Sequence, residues 1–124
     1  MPASILKQGQ YLIATIQSAL TDSEVLRLQD DIADQVGKFR SRGVILDVSG
    51  LDVIDSFVSR ALHAMAITAK LRGANAVLVG IRPEVAFALV QMGLTLEGVL
   101  TALDLEEGLA LLNRRSKEPG DSGR

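Results

Sequence analysis

Hydrophobic positions along this chain fall into three spacings, and each predicts a different element. Ser4-Ile5-Leu6-Lys7-Gln8 and Tyr11-Leu12-Ile13-Ala14-Thr15-Ile16 flank Gly9-Gln10, two short runs about a two-residue turn, which predicts a β-hairpin. Val25, Leu28, Ile32, Val36 and Phe39 then recur at helical spacing, while Asp30, Asp31, Asp34 and Lys38 take the opposite side, an amphipathic pattern. Thr21-Asp22-Ser23-Glu24 ahead of it is a capping box, and Ser41-Arg42-Gly43 offers a late cation and a glycine stop. A helix is predicted from about residue 22 to 41. Val44 to Val48 is an apolar run interrupted only by Asp47, the pattern of a central strand buried on both faces.

The same two periods alternate to the end. A second helix is predicted from Ser56 to about Arg72, with Phe57, Ala61, Leu62, Met65 and Ala69 inward and Gly73 as its stop. Ala76 to Val79 is another buried strand. Pro83 suits the first turn of a shorter helix ending near Met92, with Gly93 behind it. Val99 to Ala102 is a last strand, and Asp104 or its neighbour caps a final helix from Leu105 to about Arg115, whose inward side is Leu105, Leu109 and Leu112. Residues 116–124 are polar and rich in Gly, Pro and Ser, which predicts a disordered tail after one domain over residues 1–115. The order β-β-α-β-α-β-α-β-α predicts an α/β fold whose mixed, mostly parallel sheet is covered by helices.

Composition narrows the function. The chain has 124 residues and a net charge of −2, with one tyrosine, three phenylalanines and no tryptophan. It offers neither a basic field for nucleic acid nor an aromatic platform for single strands, so no nucleic-acid partner is expected. The stretch from Val85 to Leu96 is too short to span a bilayer. The start Met1-Pro2-Ala3-Ser4 lacks the basic-then-apolar pattern of a secretion signal, and there is no cysteine, which fits a reducing compartment. A cytoplasmic protein without a membrane partner is expected. Mean hydropathy is slightly positive, a hint of an apolar interface.

Candidate chemistry concentrates between the central strand and the second helix. Open α/β sheets place ligands and switches beyond the carboxyl ends of their strands, which here is the Ser49–Ser59 loop. Asp47, Asp52 and Asp55 lie on or beside it. They are candidates for magnesium, against the plainer role of shaping the turn and favouring the positive end of the next helix. Ser56 has two readings. It is the N-cap of the second helix, the commoner role for such a serine, or it is a phosphorylation site at a helix start, where a phosphate is tolerated by the dipole and changes the surface charge. Ser59 is the competing hydroxyl and Ser49 a weaker third. His63 is the lone histidine and reads as structural. With one histidine and no cysteine, a zinc site and a histidine-based triad lack parts, and no Gly-rich phosphate loop is present. No enzyme, metal or cofactor is expected, and the residues name no small-molecule pocket.

The element order, with Asp47-Val48-Ser49-Gly50 and then Asp55-Ser56 at a helix start, resembles the STAS domain of anti-sigma-factor antagonists. Asp52-Val53-Ile54-Asp55-Ser56-Phe57, Gly80-Ile81-Arg82-Pro83-Glu84-Val85-Ala86 and Thr101-Ala102-Leu103-Asp104-Leu105-Glu106-Glu107-Gly108-Leu109 resemble the scaffold type found in stressosomes. The likeness covers all but the tail. The first block is the one that carries function, and the other two support the fold.

The resemblance implies a non-catalytic scaffold that captures an RsbT-like serine kinase and releases it when Ser56 is phosphorylated. It also implies a switch surface including Asp52, Asp55 and Phe57, and co-assembly with RsbR-like STAS paralogues into a large cytoplasmic shell. Free antagonists of the family carry Asp-Ser-Ser/Thr-Gly-Leu, whereas this chain has Asp55-Ser56-Phe57-Val58-Ser59-Arg60. The missing glycine favours the scaffold over a free antagonist that binds an anti-sigma factor directly. A small-molecule or nucleotide sensor is the remaining alternative.

Overall fold

A computed structural model describes residues 3–93, 96 and 98–117. It contains β1 (Ala3–Gln8), β2 (Tyr11–Ile16), α1 (Asp22–Phe39), β3 (Gly43–Asp47), α2 (Ser56–Leu71), β4 (Asn75–Val79), α3 (Pro83–Gln91), β5 (Leu100–Ala102) and α4 (Leu105–Lys117). The predicted element order holds throughout. β1 and β2 form the antiparallel hairpin, with Gln8 opposite Tyr11. The other pairings are parallel, and the sheet order is β1-β2-β3-β4-β5.

This order explains how the helices divide. β2 to β5 are laid side by side in chain order, so each crossover helix must return over the same face. α1, α2 and α3 accordingly share one core with Leu12, Ala14, Ile16, Val44, Leu46, Ala76 and Leu78. α4 follows the last strand and is free to cover the other face, where Leu112 packs with Ile13, Ile45, Val77 and Val79. The strict alternation of strand side chains between faces splits Val44 and Leu46 from Ile45. All three are at most 1% exposed, as a strand covered on both sides requires. Leu6 pairs with Ile13 on the α4 face but lies 60% exposed at the sheet edge.

Helix ends follow local chemistry, with three departures from the sequence pattern. The Thr21 capping box forms as predicted: the Glu24 N–H donates to Thr21 Oγ1 at 3.2 Å, and the Thr21 N–H donates to Glu24 Oε1 at 2.8 Å. α1 stops at Phe39, because Arg40 turns into the left-handed region (φ 50°) and donates its N–H to Gly37 and Val36 carbonyls. Gly43 is therefore the first residue of β3 rather than a helix stop, and Phe39 sits at the helix edge, 39% exposed.

In α4 the predicted inward residues Leu109 and Leu112 do face the sheet, and only Leu105, at the first turn, departs. Leu105 is 37% exposed, whereas Leu112 is buried and Gly108 lies against the sheet. A Cβ on Gly108 would come within 2.8 Å of Val79 Cγ1, so the absent side chain is what lets α4 approach. α4 also runs through Lys117, past the predicted domain end at 115 and into the stretch predicted as tail. Residues 118–124 lie outside the described ones.

The two leucines of α4 separate the readings of its inward face. Leu112→Ala is expected to cost about 2–5 kcal/mol. Leu105→Ala should stay within about 0.5–1 kcal/mol. Urea denaturation with an unchanged m-value checks both.

Candidate functional site

Beyond the carboxyl end of β3 the chain takes a tight path before α2, and several independent contacts hold it. Asp47 Oδ1 accepts from the Ser49 N–H at 3.0 Å and from Ser49 Oγ at 2.7 Å, an aspartate-centred turn that bends the chain immediately after the strand. The Leu51 N–H donates to the Val48 carbonyl at 2.9 Å. Gly50 lies so close to the end of β2 that a Cβ there would fall 2.5 Å from the Ile16 carbonyl oxygen and 2.6 Å from that of Gln17. Leu51 and Ile54 anchor the loop in the core, at 4% and 3% exposed.

The neighbouring strand end supplies the other wall. Gly80, just after β4, has φ +80°, and a Cβ on it would meet Ser49 Cβ at 2.8 Å. Glycine is needed there both for its backbone and for its lack of bulk. Two residues on, Arg82 Nε donates to the Ser49 carbonyl at 3.0 Å. The Gly80-Ile81-Arg82-Pro83 block, read from the sequence as support for the fold, thus also buttresses the loop. Sequence reasoning did not single out Arg82. The available signal was its position, two residues past a neighbouring parallel strand and at the same sheet edge.

The helix start separates two residues that the sequence left competing. Asp55, not Ser56, is the N-cap of α2: its Oδ1 accepts from the Val58 N–H at 2.8 Å. Ser56 is the first helical residue, exposed, and its hydroxyl takes no part in the cap. The capping reading of Ser56 is corrected by one position, because the carboxylate one residue earlier already fills the site that a cap occupies.

The remaining candidates are spread by depth. Asp52 is exposed and Phe57 half-buried against the main core. Ser59 faces inward at 3% exposed. His63 is half-buried in the middle of α2. Two of the three carboxylates weighed for magnesium, Asp47 and Asp55, already accept protein hydrogen bonds. Among the described residues no three His, Cys, Asp or Glu side chains cluster to hold a metal.

Beneath the loop lies an apolar hollow of ≈ 140 Å³, bordered by Leu20, Leu51, Val53, Val58 and Met65 with Asp55 at its rim. It was not visible in the sequence, since its walls come from β2, the segment after it, α1, the loop and α2. It is well below the roughly 300–1,000 Å³ of ordinary ligand pockets, so it lends no support to a nucleotide sensor. Among the described residues no helix is long and apolar enough to cross a membrane.

Comparison with known proteins places this geometry. The STAS domain family matches residues 3–108. The chain belongs to the STAS family. Among solved structures it is similar to a variant of Moorella thermoacetica RsbS carrying a serine-to-glutamate substitution, at 35% identity, with a TM-score of 0.82 over 95% of this chain and 100% of that one. A chain in a structure of the stressosome, described as a signal integration and transduction hub, matches at 33% identity and a TM-score of 0.75, over 93% of this chain and all of that one. The RsbT co-antagonist protein RsbRA of Bacillus subtilis is 34% identical over 83 residues, which are 67% of this chain and 30% of that protein. The chain thus spans about a third of the length of the curated relatives it matches first.

The division between Asp55 and Ser56 is testable by stability alone. Asp55→Ala removes the cap and is expected to cost about 1 kcal/mol. Ser56→Ala should change stability by no more than about 0.5 kcal/mol. Chemical denaturation of the two variants checks this, and the reverse order would return the cap to Ser56.

Proposed function

We propose that this STAS domain is a non-catalytic stressosome scaffold subunit, which holds an RsbT-like serine kinase and releases it when Ser56 is phosphorylated. The observation that carries the reading is the separation of labour at the start of α2. Asp55 does the capping, so the Ser56 hydroxyl can be modified without dismantling the helix end. A phosphate on it would add about −1.5 to −2 charges at neutral pH. The free N–H groups and dipole of the helix N-terminus favour such a charge. The same charge would stand beside exposed Asp52 and next to Asp55, concentrating negative potential where a docked partner would feel it. Like-charge juxtaposition of that kind weakens a complementary interface.

Burial argues for Ser56 over Ser59. A kinase must bring a hydroxyl into its own active site, and Ser59, at 3% exposed, is reachable only if α2 lifts from the sheet. The exposed apolar Val53, 73% accessible, and the half-buried Phe57 flank the serine and supply contact area for a partner. The likeness to RsbS and to RsbRA supports co-assembly with RsbR-like STAS paralogues in the cytoplasm.

Incubation with a co-encoded RsbT-like kinase and ATP, followed by intact-mass and peptide mapping, tests the reading. One added phosphate on Ser56 is expected, absent in Ser56→Ala and retained in Ser59→Ala. Ser56→Glu should weaken kinase binding at least tenfold, about 1.4 kcal/mol, by calorimetry. Normal phosphorylation of Ser56→Ala would overturn the assignment.

A further inference from the structure

A second feature lies at the opposite end of the sheet from Ser56. β5 is short and pairs with β4 only from Val77 onward, so on the β5 side Asn75 and Ala76 have no strand neighbour among the described residues. The gap this leaves is bordered by Ala66 and Lys70 of α2, Asn75 and Ala76 of β4, Gly98 and Leu100 ahead of and within β5, and Arg115 of α4. It encloses ≈ 30 Å³, room for a water or for one oxygen of a larger group that protrudes.

Its chemistry is one-sided. Among the described residues that border it, the two charged ones, Lys70 and Arg115, are cations, and none is a carboxylate. Arg115 borders the gap, and its Nε is buried without a hydrogen-bond partner among the described residues. A guanidinium N–H has no acceptor capacity of its own and must find an oxygen, and an orphaned buried donor is a mark of a missing water or ion. Asn75, a residue with an amide side chain, also borders the gap. Donors with positive charge converging on a gap of this size match an anionic oxygen, for which charge-assisted hydrogen bonds are about twice as strong as neutral ones.

We propose that this gap is a binding site for a small oxyanion, phosphate or carboxylate. One oxygen enters to accept from Arg115 Nε, and the rest of the anion stays at the mouth near Lys70. The site is independent of the Ser56 reading, since it lies at the amino ends of the strands and shares no residue with the switch loop.

NMR titration of the full chain with inorganic phosphate, acetate and chloride at matched ionic strength and pH tests this. The Arg115 Nε–H and Asn75 side-chain amide resonances are expected to move saturably, with a dissociation constant on the order of 1 mM. Arg115→Gln should abolish the saturable response, Lys70→Gln should weaken it several-fold, and Arg114→Gln, an exposed neighbour, should leave it unchanged. Should Arg115→Gln fail to fold, the exposed Lys70 variant carries the same comparison. A stronger response to phosphate assigns phosphate as the ligand class, and a stronger response to acetate assigns a carboxylate. No saturable shift, a shift that chloride reproduces, or one that survives Arg115→Gln would overturn the site and leave a water-filled gap.

Discussion

Burial of β3 on both faces is the constraint from which the rest of the domain follows. Val44 and Leu46 lie under α1 and α2, and Ile45 lies under α4, so the strand cannot shift register by one residue without exchanging the two cores. Its backbone is engaged on both sides by β2 and β4. A strand held in this way delivers its carboxyl end to one fixed place, and the loop that leaves it begins from a rigid point.

That loop stays compact through close backbone approaches and local hydrogen bonds. Asp47 folds the chain back on Ser49, Gly50 presses against the end of β2, and Gly80 and Arg82 close the other side. Buried Leu51 and Ile54 fasten it below, while Asp52, Val53, Asp55 and Ser56 remain outside. The result is a fixed platform with a polar serine at a helix start.

The helix start shows how a single position changes a functional argument. With Ser56 as the cap, modification would compete with the structure of α2. With Asp55 as the cap, the capping carboxylate and the proposed modification site lie on adjacent residues. Ser59, one turn later, is turned under the helix. The rotation of α2 that buries Ala61, Leu62 and Met65 necessarily buries Ser59 with them and exposes Ser56, since about 100° separates successive residues.

Much of this was legible in the chain. The 2.0 and 3.6 residue periods, the Gly9-Gln10 turn, the Thr21 capping box and the Pro83 helix start determine every element and their order, because each rests on local sterics and hydrogen bonding. The Asp47 to Ser56 stretch also stood out as the candidate site, since a buried strand must release its chain at the carboxyl edge.

Tertiary structure decided the rest. It chose between Asp55 and Ser56 for the cap, since both can fill that role and only the angle at which the loop enters α2 selects one. It kept the predicted Leu109 and Leu112 on the sheet but left Leu105 at the exposed first turn, and it set Gly108 against Val79 and Ile45, a close approach that apolar periodicity alone does not mark. It also brought Arg82 to Ser49, thirty-three residues apart, and set Arg115 and Asn75 around one gap. Such contacts depend on which strands become neighbours, and no local pattern encodes that.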